Sequence, residues 1–118
     1  MIAIKSTECI NQAVAYELQN IVKKYGAIYN SEHEGYAVLL EEVEEADSEM
    51  IFVKGILEKF WESIKCNNVN KELLYYVKQH ALSLAEEAVQ VAAVCERFEE
   101  TIANKSEPPT YREDKTIL

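Results

Sequence analysis

Glutamates are the side chains in this sequence whose number and spacing could support chemistry. The run Glu41-Glu42-Val43-Glu44-Glu45 places four acids in five positions. On a helix, residues three or four apart are surface neighbours, so Glu42 and Glu45 can direct two carboxylates toward one point. Oxygen ligands of this kind suit Mg²⁺ or Mn²⁺. The run therefore predicts part of a divalent-metal site, and the alternative is an acidic face that only contacts water.

A second polar group lies later in the chain, in the stretch Glu86-Glu87-Ala88-Val89-Gln90. Glu87 and Gln90 flank an apolar seam on their helix, and antiparallel packing of the two helices would place them opposite the first group. The Gln90 carbonyl can coordinate a cation, but it carries no charge and cannot act as a general base. Glu49 lies one turn beyond Glu45, on the same flank of its helix.

Helices must position these groups, because the chain has only three glycines and two prolines and no convincing strand alternation. A first helix is predicted from about Thr7 to Tyr25. A second begins at the capping box formed by Ser31 and Glu34. One apolar stripe of this helix is predicted to face the core, and it consists of Tyr36, Leu39, Leu40, Val43, Ala46 and Met50. The helix is expected to weaken near Gly55, and a further amphipathic piece follows it.

The last predicted helix carries a heptad-like apolar seam from Val77 to Ile102, typical of a helix packed lengthwise in a bundle. Asn70 is its predicted N-cap. The sequence thus predicts an all-α bundle of about four helices in a single domain, residues 1–104, followed by a frayed polar tail, residues 105–118. Because so short a chain leaves apolar seams exposed, we expect a homodimer or homotetramer. Trp61 is assigned to the core or to the dimer interface.

Charge and composition exclude several classes of partner. The net charge is -9 and the basic residues are scattered, so neither a nucleic acid nor an anionic membrane is an expected partner. No apolar run approaches the roughly 18 residues that span a bilayer, and the N-terminus lacks the apolar stretch of a signal peptide. A cytoplasmic protein is therefore expected. The three cysteines are far apart in sequence and predict neither a zinc site nor a disulfide framework.

The acidic pattern also resembles that of a known family. Glu41-Glu42-x-x-Glu45, followed by Glu87 on a later helix, is similar to the EExxE…ExxD pattern of the MazG-like, all-α nucleoside triphosphate pyrophosphohydrolases. The stretch NSEHEGYAVLLEEVEE, residues 30–45, and the stretch from Glu87 to Phe98 look more like a short, often phage-borne branch of that family. The resemblance covers roughly residues 25–98.

The resemblance implies a MazG-like bundle around Mg²⁺, in which the metal would bind the triphosphate of a nucleotide that water attacks. Glu42, Glu45 and Glu87 would be metal ligands. Glu41 begins the motif and would orient the water or a second ion. Gln90 stands where the family has an aspartate, which implies a weaker metal site at that position. Glu49 is a candidate to replace the charge of that aspartate.

Cations and aromatic rings supply further candidates. Lys54, Lys78 and Arg97 are the best candidates for contacts to phosphate, with ordinary surface ion pairs as the alternative. Tyr25, Tyr29 and Tyr36 could stack on a nucleobase or could serve only in helix packing. His33 and His80 are interpreted as a surface histidine near a cap and a hydrogen-bonded histidine of the bundle.

These features favour a Mg²⁺-dependent enzyme, with Mn²⁺ as a possible substitute, that cleaves a (deoxy)nucleoside triphosphate to the monophosphate and pyrophosphate. Two alternatives remain open. One is a degenerate protein of the same fold that binds nucleotide or metal without turnover, for which Gln90 is the motivating residue. The other is a helical interaction protein with no site at all.

Overall fold

The computed structural model describes residues 2–106 of the chain as three α-helices, α1 (Ile4–Tyr25), α2 (Glu32–Lys65) and α3 (Glu72–Ser106). The predicted all-α class is confirmed for these residues, but they form three helices where the sequence predicts about four. The break expected near Gly55 is absent because one interior glycine costs a helix only about 1 kcal/mol and no proline follows it. The frayed tail was predicted for residues 105–118, but α3 continues through Lys105 to Ser106, and the rest of that segment, 107–118, lies outside the described residues.

Local capping explains where the helices begin and end. Gly26 ends α1 with φ 97° and donates its N–H to the Val22 carbonyl at 2.8 Å, a backbone conformation that glycine adopts without strain. At the start of α2 the Glu34 N–H donates to Ser31 Oγ at 3.1 Å, and Glu34 Oε1 accepts from the Asn30 N–H at 2.7 Å. The predicted capping box is therefore present, with the glutamate bond returned one residue earlier in the chain.

The second connection is equally local. Asn70 Oδ1 accepts the N–H of Glu72 at 3.2 Å, which confirms Asn70 as the capping residue of α3. The short connection from Cys66 to Lys71 forces α3 to return along α2. Close pairs such as Gly35 with Phe98 and Glu49 with His80 confirm the antiparallel arrangement.

The core is small and lies where α1 joins the hairpin of α2 and α3. Among the described residues, the buried apolar side chains are Val14, Tyr29, Ala93 and Val94. α1 packs on α3 and makes no comparable backbone approach to α2 within residues 2–106. Gly35 permits a close approach of α2 to the Phe98 ring of α3, because a Cβ built there would lie 2.7 Å from Phe98 Cε1. A cleft is thereby left between α1 and α2.

The apolar stripe of α2 does not face this core. Val43 and Met50, which the sequence places on a buried stripe, are both exposed. The partly buried apolar residues of the second half of α2 are instead Val53, Ile56 and Phe60. Because α3 is the only helix packed on α2 within residues 2–106, Val53, Ile56 and Phe60 mark the side of α2 that meets α3, and the exposed stripe lies beside it.

None of the three helices combines the length and the apolar composition needed to cross a bilayer, as judged over residues 2–106.

Candidate metal centre and adjoining cavity

Three carboxylates from two helices converge on one point. Glu42 and Glu45 of α2 and Glu87 of α3 each offer an oxygen, and these oxygens all lie within 4.8 Å of one another. Glu42 and Glu87 are partly buried, whereas Glu45 is exposed. The antiparallel register of α2 and α3 brings them together, as the spacing of the two acidic groups predicts. We call these three residues the carboxylate cluster.

Glu42 and Glu87 of the carboxylate cluster hold protons more tightly than isolated glutamates do. Partial burial raises the pKa of Glu42 above its ordinary value, and the charges of Glu45 and Glu87 raise it further, with smaller effects of Glu41 and Glu17. Burial likewise raises the pKa of Glu87, followed by the charge of Glu45 and a hydrogen bond with it. Concentrated negative charge of this kind is what a divalent cation would offset. An all-oxygen, anionic donor set fits Mg²⁺ or Mn²⁺.

Gln90 makes its hydrogen bond to α1. Its Nε2 donates to Glu17 Oε2 at 2.9 Å, so the residue that stands at the family's aspartate position joins α3 to α1. Glu17 is a carboxylate that the sequence reasoning missed, and its charge contributes to the raised pKa of Glu42. The available signal was the spacing of Glu17, Asn20 and Lys24, which share one face of α1.

Glu49 is engaged with a histidine. Its Oε1 lies 2.7 Å from His80 Nδ1, and the His80 ring stacks on Phe52 with centroids 5.0 Å apart. The interpretation of His80 as a hydrogen-bonded histidine of the bundle is confirmed. Glu49 still contributes to the raised pKa of Glu87, so it lies near the carboxylate cluster while its own oxygen bonds His80.

Other predicted site residues lie outside the carboxylate cluster. Glu41 is exposed and is not one of the three converging carboxylates. Lys54 follows Glu45 by nine residues and Lys78 precedes Glu87 by nine, so each lies about 13 Å along its helix from the converging oxygens. Both lysines are exposed. The structure therefore does not bring these three residues to the converging carboxylates.

Arg97 is buried, and its guanidinium bonds backbone carbonyls at the end of α1 and in the connection to α2. It is only 7% exposed, and its guanidinium donates to the carbonyls of Gly26 (3.0 Å), Tyr25 (3.1 Å) and Ile28 (3.2 Å). The same group lies 4.0 Å from the centroid of the Tyr29 ring. A cation at the carboxyl end of α1 satisfies carbonyls that the helix leaves unpaired and complements its dipole. Arg97 thus fixes the connection between α1 and α2 against α3.

A cavity of about 650 Å³ occupies the cleft between α1 and α2, with α3 as its floor. Polar residues from all three helices line it: Glu17, Asn20 and Lys24 from α1, Glu34 and Glu42 from α2, and Gln90 and Arg97 from α3. Glu42 belongs both to this cavity and to the carboxylate cluster, so the two are continuous. Lys24 is the lysine that the structure brings here, and the sequence reasoning missed it.

Tyr29 lines the cavity and carries a buried hydroxyl. Its side chain is 4% exposed, and its hydroxyl has no hydrogen-bond partner among the described residues. Buried hydroxyls are nearly always paired, with protein, water or a ligand. The Tyr29 hydroxyl is therefore a candidate contact for a molecule that occupies the cavity.

Comparison with known proteins gives no family for this chain: no family model matches it, and neither a curated protein nor a solved structure does.

Proposed function

We propose that this protein is a Mg²⁺-dependent nucleoside triphosphate pyrophosphohydrolase, active as a homodimer or homotetramer. The observation that carries the proposal is the convergence of Glu42, Glu45 and Glu87 beside a cavity of about 650 Å³. A volume in the range of 300–1,000 Å³ is typical of small-molecule sites. Carboxylates beside such a cavity suit a ligand that is itself anionic only if a cation lies between the carboxylates and the ligand.

Different residues of the chain would bind the metal, the nucleoside and the triphosphate. Glu42, Glu45 and Glu87 would hold the metal, which when bound supplies charge neutralisation and polarisation of a phosphoryl oxygen. The cavity would receive the nucleoside, with the Tyr29 hydroxyl as a hydrogen-bonding group and the exposed Tyr25 ring at its wall. Lys24, the exposed cation of the cavity, would contact the triphosphate.

Glu41 would have the role that the family resemblance implies for it, which is to orient the attacking water. Its carboxylate is exposed and adjacent in sequence to Glu42, a position from which it would orient the attacking water from the solvent side. Arg97 would act on the site through the backbone that it holds, since its donors already bond three carbonyls.

A second candidate function is binding without turnover. The observation that favours it is the hydrogen bond of Gln90 to Glu17, because an amide there brings no charge to the metal site. Such a protein would bind Mg²⁺ and a nucleoside triphosphate in the same place and release no product.

The direct test is pyrophosphate release from ribo- and deoxyribonucleoside triphosphates in Mg²⁺ or Mn²⁺. The informative variant is Glu42→Gln, and the matched control is Glu44→Gln, which makes the same charge change at an exposed position outside the carboxylate cluster. The proposal predicts release by the wild type and the control and its loss in Glu42→Gln. Nucleotide binding without release would select the second candidate. If the protein neither binds a nucleotide nor releases pyrophosphate, the helical interaction protein becomes the favoured function.

A further inference from the structure

An exposed repeat runs almost the full length of α2. Nine positions separated by alternating steps of four and three residues share one face of the helix, and all nine are exposed: Tyr36, Leu40, Val43, Asp47, Met50, Lys54, Leu57, Trp61 and Ile64. We call this set the α2 stripe. Steps of four and three are the spacing by which a helix packs lengthwise on another helix. Within residues 2–106, no helix packs there, because α2 contacts only α3, on the adjacent face.

The apolar area that the α2 stripe exposes is similar in size to one side of a protein–protein interface. The seven apolar members of the α2 stripe are 37% to 61% exposed, with Tyr36 at 61% and Trp61 at 55%. Together they expose on the order of 700 Å² of side chain, close to the ~800 Å² that each partner contributes to a standard interface. Monomeric proteins rarely leave a contiguous apolar patch of this size in water. A groove of about 370 Å³ lined by Leu57 and Trp61 lies on the same surface.

The length of the α2 stripe and the charge pattern along α2 indicate which helix packs on this surface. The α2 stripe extends over about 42 Å of helix, so its partner must be a helix of similar length, which α2 itself provides. Residues 32–49 of α2 hold eight acidic and no basic side chains, whereas residues 50–65 hold three lysines and two glutamates. Two copies packed in parallel would stack the acidic halves on one another. Two antiparallel copies would pair each acidic half with the lysine-bearing half of the other.

The two charged members of the stripe make the orientation specific. Asp47 and Lys54 lie on either side of Met50, the central residue of the α2 stripe. In an antiparallel pair centred near Met50, Asp47 of each copy lies within about one helical turn of Lys54 of the other. In a parallel pair, aspartate would meet aspartate and lysine would meet lysine, which is destabilising. Polar residues within such a repeat commonly set orientation and register.

We propose that the α2 stripe is a self-association surface, on which α2 of a second copy packs antiparallel with its twofold axis near Met50. Tyr36 and Leu40 of one copy then lie at the end that carries Trp61 and Ile64 of the other. The carboxylate cluster lies on the side of α2 that faces α3, so the surface and the candidate metal site are separate. The proposal does not depend on the proposed enzymatic function.

Charge reversal tests the interface. Sedimentation equilibrium of the full chain should show a dimer for the wild type. Asp47→Lys and Lys54→Asp should each weaken dimerisation by at least about a hundredfold, because each creates two like-charge contacts, while the combined variant should dimerise again. The matched control is Glu62→Lys, an exposed α2 residue on the side of the helix away from the α2 stripe, which should remain dimeric. Helicity by circular dichroism checks that each variant folds.

Native Cys66 reports the orientation, since it is exposed and lies at the end of α2. With Cys9 and Cys95 replaced by serine, a spin label on Cys66 should give a distance of about 50 Å between copies in the antiparallel dimer. A short distance would indicate parallel packing and would overturn the orientation. A monomeric wild type, or single charge-reversal variants that dimerise as well as the wild type, would overturn the surface.

Discussion

Replacing Arg97 tests whether this cation is structural, as its contacts indicate, or a ligand for phosphate. Arg97→Met keeps the aliphatic stem but removes three hydrogen bonds to carbonyls and the contact with the Tyr29 ring. Hydrogen bonds from a charged group contribute about 1.5–3 kcal/mol each and a cation–π contact about 0.5–2 kcal/mol. These contributions are not additive, and losing the desolvation cost of the guanidinium offsets part of them. We expect the free energy of unfolding to fall by about 3 kcal/mol.

Chemical denaturation at one fixed protein concentration measures this loss. The midpoint should fall with an unchanged slope, and Tm should drop by roughly 10–20 °C. Arg97→Lys should recover little, because a single ammonium cannot reach three carbonyls. Lys24→Met is the matched control, since Lys24 lines the same cavity but is exposed, and it should change stability by less than about 0.5 kcal/mol. A similarly small change in Arg97→Met would refute the structural role.

Three further outcomes follow from the packing and charge of the helices. Gly35→Ala should cost about 1–3 kcal/mol in denaturation experiments because its Cβ would collide with Phe98, whereas Gly55→Ala, with open space around it, should stabilise by up to about 1 kcal/mol. Without metal, Glu87→Gln should raise Tm, since it relieves repulsion of a few tenths of a kcal/mol per carboxylate pair; a lower Tm would contradict this. The pKa values of Glu42 and Glu87 are raised, so the folded state binds more protons than the unfolded chain. The stability of the metal-free wild type relative to a Glu42→Gln/Glu87→Gln variant should therefore fall as pH rises above about 4.5, and added Mg²⁺ should reduce that slope.

The parts of the fold that could be predicted from sequence depend on neighbours along the chain. The caps at Ser31 and Asn70 and the end of α1 at Gly26 are determined within a few residues. The convergence of the two acidic groups follows from helix spacing and one antiparallel hairpin. The prediction that the second helix weakens near Gly55 was wrong because a glycine is only a weak helix breaker in a long helix without proline.

The remaining features depend on where α1 lies, which no local pattern determines. The sequence offers Arg97 as a phosphate contact or a surface ion pair, and neither describes its role. Its partners are backbone carbonyls of a connection about 70 residues away in sequence, and carbonyls leave no side-chain signal. Glu17 and Lys24 were missed for the same reason. The apolar positions of α2 predicted a buried stripe, yet the core of one copy is too small to cover it.

The central claim is that Glu42, Glu45 and Glu87 bind a divalent cation, and Mg²⁺ titration by calorimetry tests it most directly. Titrations of the wild type, Glu87→Gln and the control Glu44→Gln should be compared at the same pH. The account predicts saturable binding in the wild type, unchanged affinity in Glu44→Gln and at least about tenfold weaker binding in Glu87→Gln. Equal affinity in all three proteins, or no binding by the wild type, would contradict it.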